Sequence, residues 1–356
     1  MKKKVLFIIH SIHGGGAQKQ MQYIIRNLDR NRYDPYLCVF KITGADADVL
    51  PAGIRIYDLS TKLHPATLFL TLKLMRLLIR LKPDKVLSFM WSANIVSLLA
   101  TSFFKISMVI SERIYTPLSI KKYSFWKIKR RMISSLYKRA SKIIAVSDDV
   151  KKGLVDEFFI PENLIHVINN GINSITIEKL SNEYEVELKD YVFACGTLEK
   201  KKNFSLLIDA MKDMKGKPLV ILGKGSQESL LRRKAEENMV NLVLPGYLEN
   251  PYPYFKNAGC FVLTSEYEGF PNVILESMAL EVPVVSVDCP GGIKEIIKDG
   301  KDGSIVDAGD AHGLAVAIKK ILEEKEYRDL IIRNAKEKVK NFSLDSMIKK
   351  YEDIIS

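Results

Sequence analysis

Apolar runs of strand length alternate with longer helix-period segments from one end of the chain to the other, and this constrains the fold more than any other feature. Strand, helix and strand in succession form the unit of a parallel sheet covered by helices. The first half offers KVLFIIH, YLCVF, IRIYDL, KVLSFM, SMVIS and KIIAVS as strands, and the second HVINN, YVFACG, PLVILG, NLVLPG, CFVLTS, PVVSVD and GSIVD. Two α/β sets therefore follow one another, and 356 residues suit two domains of roughly 150 to 180 residues better than one core. The polar, turn-rich stretch Asn169 to Asp190 reads as the linker. The expected architecture is two Rossmann-like, doubly wound parallel-sheet domains facing a cleft, residues 1–168 and 191–341, with 169–190 as linker and domain entry. Ligands of such sheets bind beyond the carboxyl ends of the strands.

With 47% hydrophobic and 27% charged residues, the chain is globular, not disordered. Cys38, Cys195, Cys260 and Cys289 lack metal-ligand spacing and read as reduced core residues. The start, MKKKVLFIIHSIHGGG, imitates a signal peptide. Its apolar run before His10 is only five residues, short of the roughly 7 to 15 required, so it reads as the first strand of a cytoplasmic protein. Val86 to Phe104 runs 19 residues without a charge, but its serines and its division into KVLSFM and SANIVSLLATSFF favour a strand and a helix over a membrane span. The net charge is +12, and Arg113 to Ser147 holds ten Lys or Arg with no Asp or Glu. Such a block wants phosphate, nucleic acid or lipid headgroups.

Gly14, Gly15 and Gly16 follow the first strand. A P-loop is excluded, because G-x-x-x-x-G-K-[ST] occurs nowhere in the chain. A dinucleotide fingerprint fails on Lys19, which replaces the third glycine, and on Lys41, which stands where an acid should meet the ribose. Two readings stay open: a flexible strand-to-helix turn, or a loop of N–H groups suited to phosphate or a sugar hydroxyl.

The most informative segment is CFVLTSEYEGFPNVILESMALEVPVVSVDCPGG, Cys260 to Gly292. A strand ends at Ser265, a loop carries Glu268 and Gly269, and Pro271 sits where a first helical residue belongs. Glu276 is the one charge on the apolar helix NVILESMAL. A carboxylate there needs a partner, which a salt bridge, a solvent-facing edge or a ribose diol could supply. The amides of Asn272 and Val273, aided by the helix dipole, suit a diphosphate.

Glu268 and Glu276, in the context YEGFPNVILESMALEVPVVSVDCPGGIKEII, resemble the paired-glutamate motif of the retaining family 4 glycosyltransferases. The resemblance extends through GGGAQKQ, IIAVSDDVKKGL, VINNGIN and FSLDSMIKKYEDI, and so over essentially the whole chain. It implies the GT-B fold, with residues 1–168 binding acceptor, residues 191–341 binding donor, and a final helix, about 342–356, crossing back onto the first domain. It also implies that Glu268 contacts the donor sugar and Glu276 the ribose, with the turn Gly269, Phe270, Asn272 and Val273 at the donor. GTLEKKKN resembles the family's diphosphate clamp, with Gly196 at its start and Lys202 on the usual lysine position. The common arginine is replaced by Thr197, and a solvated loop is the alternative reading. Lys201 or Lys202 would neutralise phosphate as it departs. Gly15 and Gly16 would wall the opposite side of the donor. LGKGSQ and LPGYLENPYPYF resemble loops that shape the base pocket. Where many relatives carry a histidine, this chain has SERIY, so Glu112 is expected to orient the acceptor hydroxyl or take its proton, or else to pair with Arg113.

Lys73, Arg76 and Arg80 share one face of the helix ATLFLTLKLMRLLIRLK, either as snorkelling surface cations or as phosphate contacts. In the second reading the helix resembles the basic amphipathic helix by which some family members hold lipid-linked diphosphate oligosaccharides, which implies acceptor binding. SIKKYSFWKIKRRMISSLYKRASK interleaves aromatic residues with cations, as an interfacial segment does; a sugar-transfer site in the same chain favours membrane over nucleic acid. The combined expectation is a retaining transferase that moves a hexose or N-acetylhexosamine from a nucleotide diphosphate, uridine-linked, to a lipid-linked glycan in surface polysaccharide synthesis. It would act in the cytoplasm, peripherally on the inner face of the membrane, with no cofactor beyond the nucleotide sugar as co-substrate. Family resemblance implies no required metal, and Asp46 to Asp48 read as turn and helix-cap chemistry. The alternatives are a sugar-nucleotide epimerase of the same fold, an oxidoreductase, and a non-enzymatic membrane-surface binding protein.

Overall fold

A computed structural model describes residues 2–12, 15–42, 53–214 and 216–356. The chain forms two compact units, Met1–Asn170 with Leu344–Ser356, and Gly171–Ser343. In the first unit the strands are β1 (Lys3–Ile9), β2 (Tyr33–Val39), β3 (Arg55–Asp58), β4 (Lys85–Phe89), β5 (Ser107–Glu112), β6 (Lys142–Ala145) and β7 (Ile165–Val167). Among the described residues they make one parallel sheet in the order β3-β2-β1-β4-β5-β6-β7. Val5 to Ile9 are wholly buried, as a central parallel strand with helices on both faces requires. The run HVINN, grouped above with the second set, instead supplies the edge strand β7 of this first sheet.

The second unit contains β8 (Tyr191–Cys195), β9 (Leu219–Leu222), β10 (Leu242–Gly246), β11 (Ala258–Leu263), β12 (Val284–Val287) and β13 (Ser304–Val306). Their order is β10-β9-β8-β11-β12-β13, again parallel. In each sheet the winding reverses once, between β1 and β4 and between β8 and β11. The loops leaving those adjacent strands part there and open a crevice for ligands.

The stretch read as linker is structured. Asn173 caps the helix Ser174–Leu180, its side chain accepting from the Thr176 amide at 3.0 Å. The helix packs on Asn272–Ala279 and Tyr252–Lys256, so it belongs to the second unit. An Asn cap ahead of Ile177 and Leu180 is an ordinary helix start, hidden here by the surrounding polar residues. The uncharged stretch at Val86 divides into β4 and the helix Trp91–Thr101. No described helix is long and apolar enough to cross a membrane.

The final helix, Leu344–Ile355, lies in the first unit, where Met347, Ile348, Tyr351, Ile354 and Ile355 enter the core beside β1 and the helix Gly16–Asn27. Each such side chain contributes about 1.5–3 kcal/mol through burial. A buried guanidinium fixes the helix further. Arg113 donates to the Tyr351 hydroxyl at 2.9 Å and to Asn170 Oδ1, while lying over the Phe89 ring at 5.1 Å. One cation thus holds both Asn170, where the chain leaves this unit, and the helix that returns to it. Tyr351→Phe strips a partner from that cation and should lower the stability of the first unit by about 1–3 kcal/mol, measured as a shift in its denaturant midpoint.

Candidate active site

In the second unit the switch point carries charge. The loop after β8 starts at Gly196, exposes Thr197, and tightens into a 3-10 turn, Lys200–Lys202, before the helix Phe204–Met211. The loop after β11 carries Ser265 and Glu268. Lys202 Nζ donates to Glu268 Oε1 at 2.6 Å, and Ser265 Oγ donates to the same oxygen at 2.6 Å. The two charged side chains are 15% and 16% exposed. Two further bonds stitch the loops together: the Glu266 amide donates to the Lys201 carbonyl at 2.8 Å, and the Thr264 side-chain Oγ1 donates to the Lys202 carbonyl at 2.8 Å.

Burial pushes the Glu268 pKa up, but the Lys202 ammonium, the hydrogen bonds from Lys202 and Ser265, and the charge of Lys201 outweigh it and hold the carboxyl below its usual range. Glu268 is therefore an anion at neutral pH. Its amide donates to the Pro290 carbonyl at 2.9 Å, and Gly291, at φ +121, passes so close that a Cβ there would collide with the Glu268 carbonyl. Gly223, at φ +147, similarly lies against the Gly196 carbonyl. Glycine is needed at both positions for conformation and for clearance.

The helix beyond Glu268 spans Asn272–Ala279, with Pro271 as its N-cap and not its first helical residue, one position earlier than expected. Gly269 is buried beside it, and Val273 and Asn272 occupy its first turn, half-buried. Glu276, one turn further, is buried and accepts from the Tyr252 hydroxyl at 3.1 Å. One partner of this carboxylate is thus a phenol from LPGYLENPYPYF. Phe270 packs on the Phe342 ring at 5.5 Å, which gives it a packing role within this unit. Sequence reading missed Tyr252, Ser265 and Gly291. Only Ser265, three residues before Glu268, left a local signal.

The first unit differs. Glu112, at the carboxyl end of β5, is fully buried, with Oε1 accepting from Asn94 Nδ2 at 2.8 Å and from the Tyr137 hydroxyl, and Oε2 accepting from Thr116 Oγ1 at 2.6 Å. Neither expectation for it fits. A carboxylate without exposed surface does not meet an acceptor hydroxyl, and Arg113 is engaged with Tyr351 and Asn170. Burial raises the Glu112 pKa to about 7 against the opposing hydrogen bonds of Thr116, Tyr137 and Asn94.

Gly15 is the N-cap of the helix that begins at Gly16, in extended conformation (φ −154), and both are exposed. A Cβ on Gly15 would meet only the mobile tip of Gln18, so the fold itself does not demand glycine there. Gly14 and Asp46 to Asp48 lie outside the described residues. On the helix Ala66–Leu81, Lys73 Nζ donates to the carbonyls of Leu59 at 3.3 Å and Ser60 at 2.5 Å, which makes it a tie to the loop after β3. Arg76 and Arg80 remain exposed on that face.

Two parallel doubly wound units, with the last helix returned to the first, define the GT-B class of fold. The profile described as Glycosyltransferase Family 4 matches residues 14–174, and that described as Glycosyl transferases group 1 matches residues 176–338. A Campylobacter jejuni protein, N-acetylgalactosamine-N,N'-diacetylbacillosaminyl-diphospho-undecaprenol 4-alpha-N-acetylgalactosaminyltransferase, is 32% identical over 280 residues, covering 77% of this chain and 76% of its own. The amylovoran biosynthesis glycosyltransferase AmsD of Erwinia amylovora is 24% identical over 364 residues and 99% of each chain. Among solved structures, Anabaena HepE in complex with UDP-glucose superimposes with a TM-score of 0.86 over 99% of both chains at 20% identity, a likeness of fold. The chain belongs to the group 1, family 4 glycosyltransferases, and it is a glycosyltransferase.

The raised Glu112 pKa has a sign that can be checked. The unfolded carboxyl releases its proton near 4.5 and the folded one at about 7, so the unfolded state binds fewer protons in that window and stability falls as pH rises through it. Glu112→Gln should abolish this slope, so that between pH 5 and 8 its melting temperature falls less than that of the wild type.

Proposed function

We propose that this glycosyltransferase moves a hexose or N-acetylhexosamine from a uridine diphosphate donor to a hydroxyl of a lipid-linked glycan, with retention at the anomeric carbon, in surface polysaccharide synthesis. The observation that carries the reading is the Lys202–Glu268–Ser265 cluster at the switch point of the second unit. Support for donor and acceptor comes from relatives: HepE was solved with UDP-glucose, and the Campylobacter enzyme is named for a diphospho-undecaprenol substrate. A lipid-linked acceptor sets the reaction at the cytoplasmic surface of a bilayer.

In this mechanism Lys202, with Lys201 beside it, transfers part of its hydrogen bonding from Glu268 to the donor diphosphate, and the amides at Asn272 and Val273 complete the anion site. Glu268 accepts from the sugar hydroxyls and orients the anomeric carbon. Glu276, braced by Tyr252, accepts from the ribose. The bond from anomeric carbon to diphosphate oxygen breaks ahead of attack, and the acceptor oxygen bonds on the face the leaving group vacates. Because Glu112 is sealed away, the acceptor proton passes to the departing phosphate oxygen, the anion on that face. Lysine charge and the helix N-terminus neutralise the leaving group, so the reading assigns no metal and no cofactor. Arg76 and Arg80 are assigned to the acceptor's phosphates.

The test is a panel of nucleotide sugars with undecaprenyl diphosphate-linked glycans, the product anomer being read by NMR. Transfer from a UDP-sugar with retained configuration is expected; inversion, or conversion of donor alone without acceptor, overturns the reading. Glu268→Ala should lower kcat by about 10²-fold or more. It also leaves the Lys202 ammonium without its carboxylate, so the melting temperature should fall as well, and turnover is compared at a temperature where the variant is fully folded.

Lys202→Met tests the pair by pH. Lys202 holds the Glu268 pKa down, so without it burial prevails and the pKa rises. The acid limb of the kcat/KM profile should move to higher pH, and an unmoved limb would separate Glu268 ionisation from turnover.

A further inference from the structure

The helix Trp126–Leu136 begins beside an unusual surface. Its N-cap, Phe125, has a left-handed backbone (φ 60) and is 76% exposed. On the neighbouring helix, Asp148–Phe158, the C-cap Phe159 is also left-handed (φ 56) and 67% exposed. The two helices pack together, and Arg130 clamps them by donating to the Glu157 carbonyl at 3.0 Å. Trp126, Ile128 and Phe159 line one open groove of about 960 Å³, with Ile128 56% exposed.

A left-handed cap ordinarily belongs to glycine or asparagine, and an exposed phenylalanine gains nothing from folding. Phe159, on the groove beside Trp126 and Ile128, departs from both rules, and so does Phe125, the residue before Trp126. Met239 also combines a left-handed backbone with exposure, so it is the apolar groove with cations along it, and not strain, that points to a ligand for the rings. The cations identify it: Lys127, Arg131 and Lys138 line the groove and are exposed, as are Lys121 and Lys122 before the helix. Of the acids close in sequence to Phe159, Glu157 is paired with Arg130, Glu162 with Lys151, and Asp156 is exposed. Lys129 lies over the Tyr123 ring at 4.4 Å and holds the segment before the helix in place.

We infer that Phe125, Ile128 and Phe159 form a hydrophobic foot that enters the headgroup region of an anionic bilayer, with the surrounding lysines and arginines on lipid phosphates. Apolar anchors in the interface and cations at headgroup level are the two signals a reversible membrane contact needs. The contact is peripheral, weakens with salt, and requires Phe159, which lies outside the basic segment evident in the sequence. The inference rests on the lipid-linked acceptor reading only for its biological purpose.

The test uses the full chain with vesicles of phosphatidylcholine alone or with phosphatidylglycerol. Phe125→Asn and Phe159→Asn are chosen because asparagine tolerates the left-handed conformation, so the double variant should melt no lower than the wild type. Wild type should co-sediment with the anionic vesicles, lose most of that binding in high salt, and show a blue shift of Trp126 emission in a Trp91→Phe background. The double variant should bind at least tenfold more weakly while hydrolysing UDP-sugar normally in solution. Equal binding by wild type and double variant overturns the proposal. So does retention by RNA without vesicle binding, or a dimer that the double variant dissolves. Donor hydrolysis is scored separately, so a failure of the foot leaves the transferase reading standing, and the converse holds.

Discussion

Glu268 can be buried as an anion only because Lys202 reaches it, and the candidate site depends on that contact. An isolated carboxylate removed from water is costly, and breaking a buried pair leaves that cost unmet. The two residues lie sixty-six positions apart and meet because β8 and β11 are neighbours where the winding of the sheet reverses. Each loop is then tied to the other by its backbone, and Gly291 and Gly223 permit the close approaches. The topology thus delivers a charged pair to the crevice, and the glycines let it close to hydrogen-bonding distance.

The first unit treats the corresponding region in the opposite way. Glu112 ends β5 with both oxygens satisfied by neutral donors from three separate segments, and burial raises its pKa where ion pairing lowers that of Glu268. The network of Ser88, Asn94, Glu112, Thr116 and Tyr137 holds β4, β5 and the segments after them in register. Such a network specifies geometry when every member is satisfied. Apart from the buried Arg113, the cations between Arg113 and Ser147 are exposed or half-buried, and Glu112, sealed among neutral donors, makes no salt bridge to them.

The alternation of apolar runs was enough to reveal two parallel α/β sheets, because central strands need continuous apolar sequence and the helices covering them need a periodic one. Glu276 stood out because a charge on an apolar helix must be explained, whereas Glu268 and Lys202 were marked by the resemblance of their motifs to the family's. What stayed hidden depended on partners distant in sequence. Nothing near Glu276 names Tyr252, nothing near Glu112 names Tyr137, and Lys73 reads as a surface cation until the carbonyls of Leu59 and Ser60 are seen beside it. The helix Ser174–Leu180 passed as linker because its apolar residues are few and its neighbours polar. Arg113 looked like a partner for the adjacent Glu112, yet sequence neighbours at the end of a strand point to opposite faces, and its partners come from residues 170 and 351.

Departures from local backbone rules occur at several turns of this chain, Lys82, Met90, Met239 and Glu281 among them, and also where ligands are proposed. Gly223 and Gly291 take backbone conformations that side chains avoid, beside the proposed donor site; Phe125 and Phe159 take such conformations in spite of their side chains, at the surface. The distinction matters physically. A glycine in the left-handed region removes strain and lets something approach, whereas a phenylalanine there keeps strain and presents something outward. The helix caps that follow ordinary chemistry, Asn173, Ser147 and Asp310, each bond a first-turn amide and serve only the fold. Lys82, Met239 and Glu281 also keep long side chains on left-handed backbones, so strain alone does not single out 125 and 159. What does is an exposed aromatic ring at each, with Phe159 on a groove lined by Lys127, Arg131 and Lys138, and that pairing of ring and cation is what the proposed membrane contact uses.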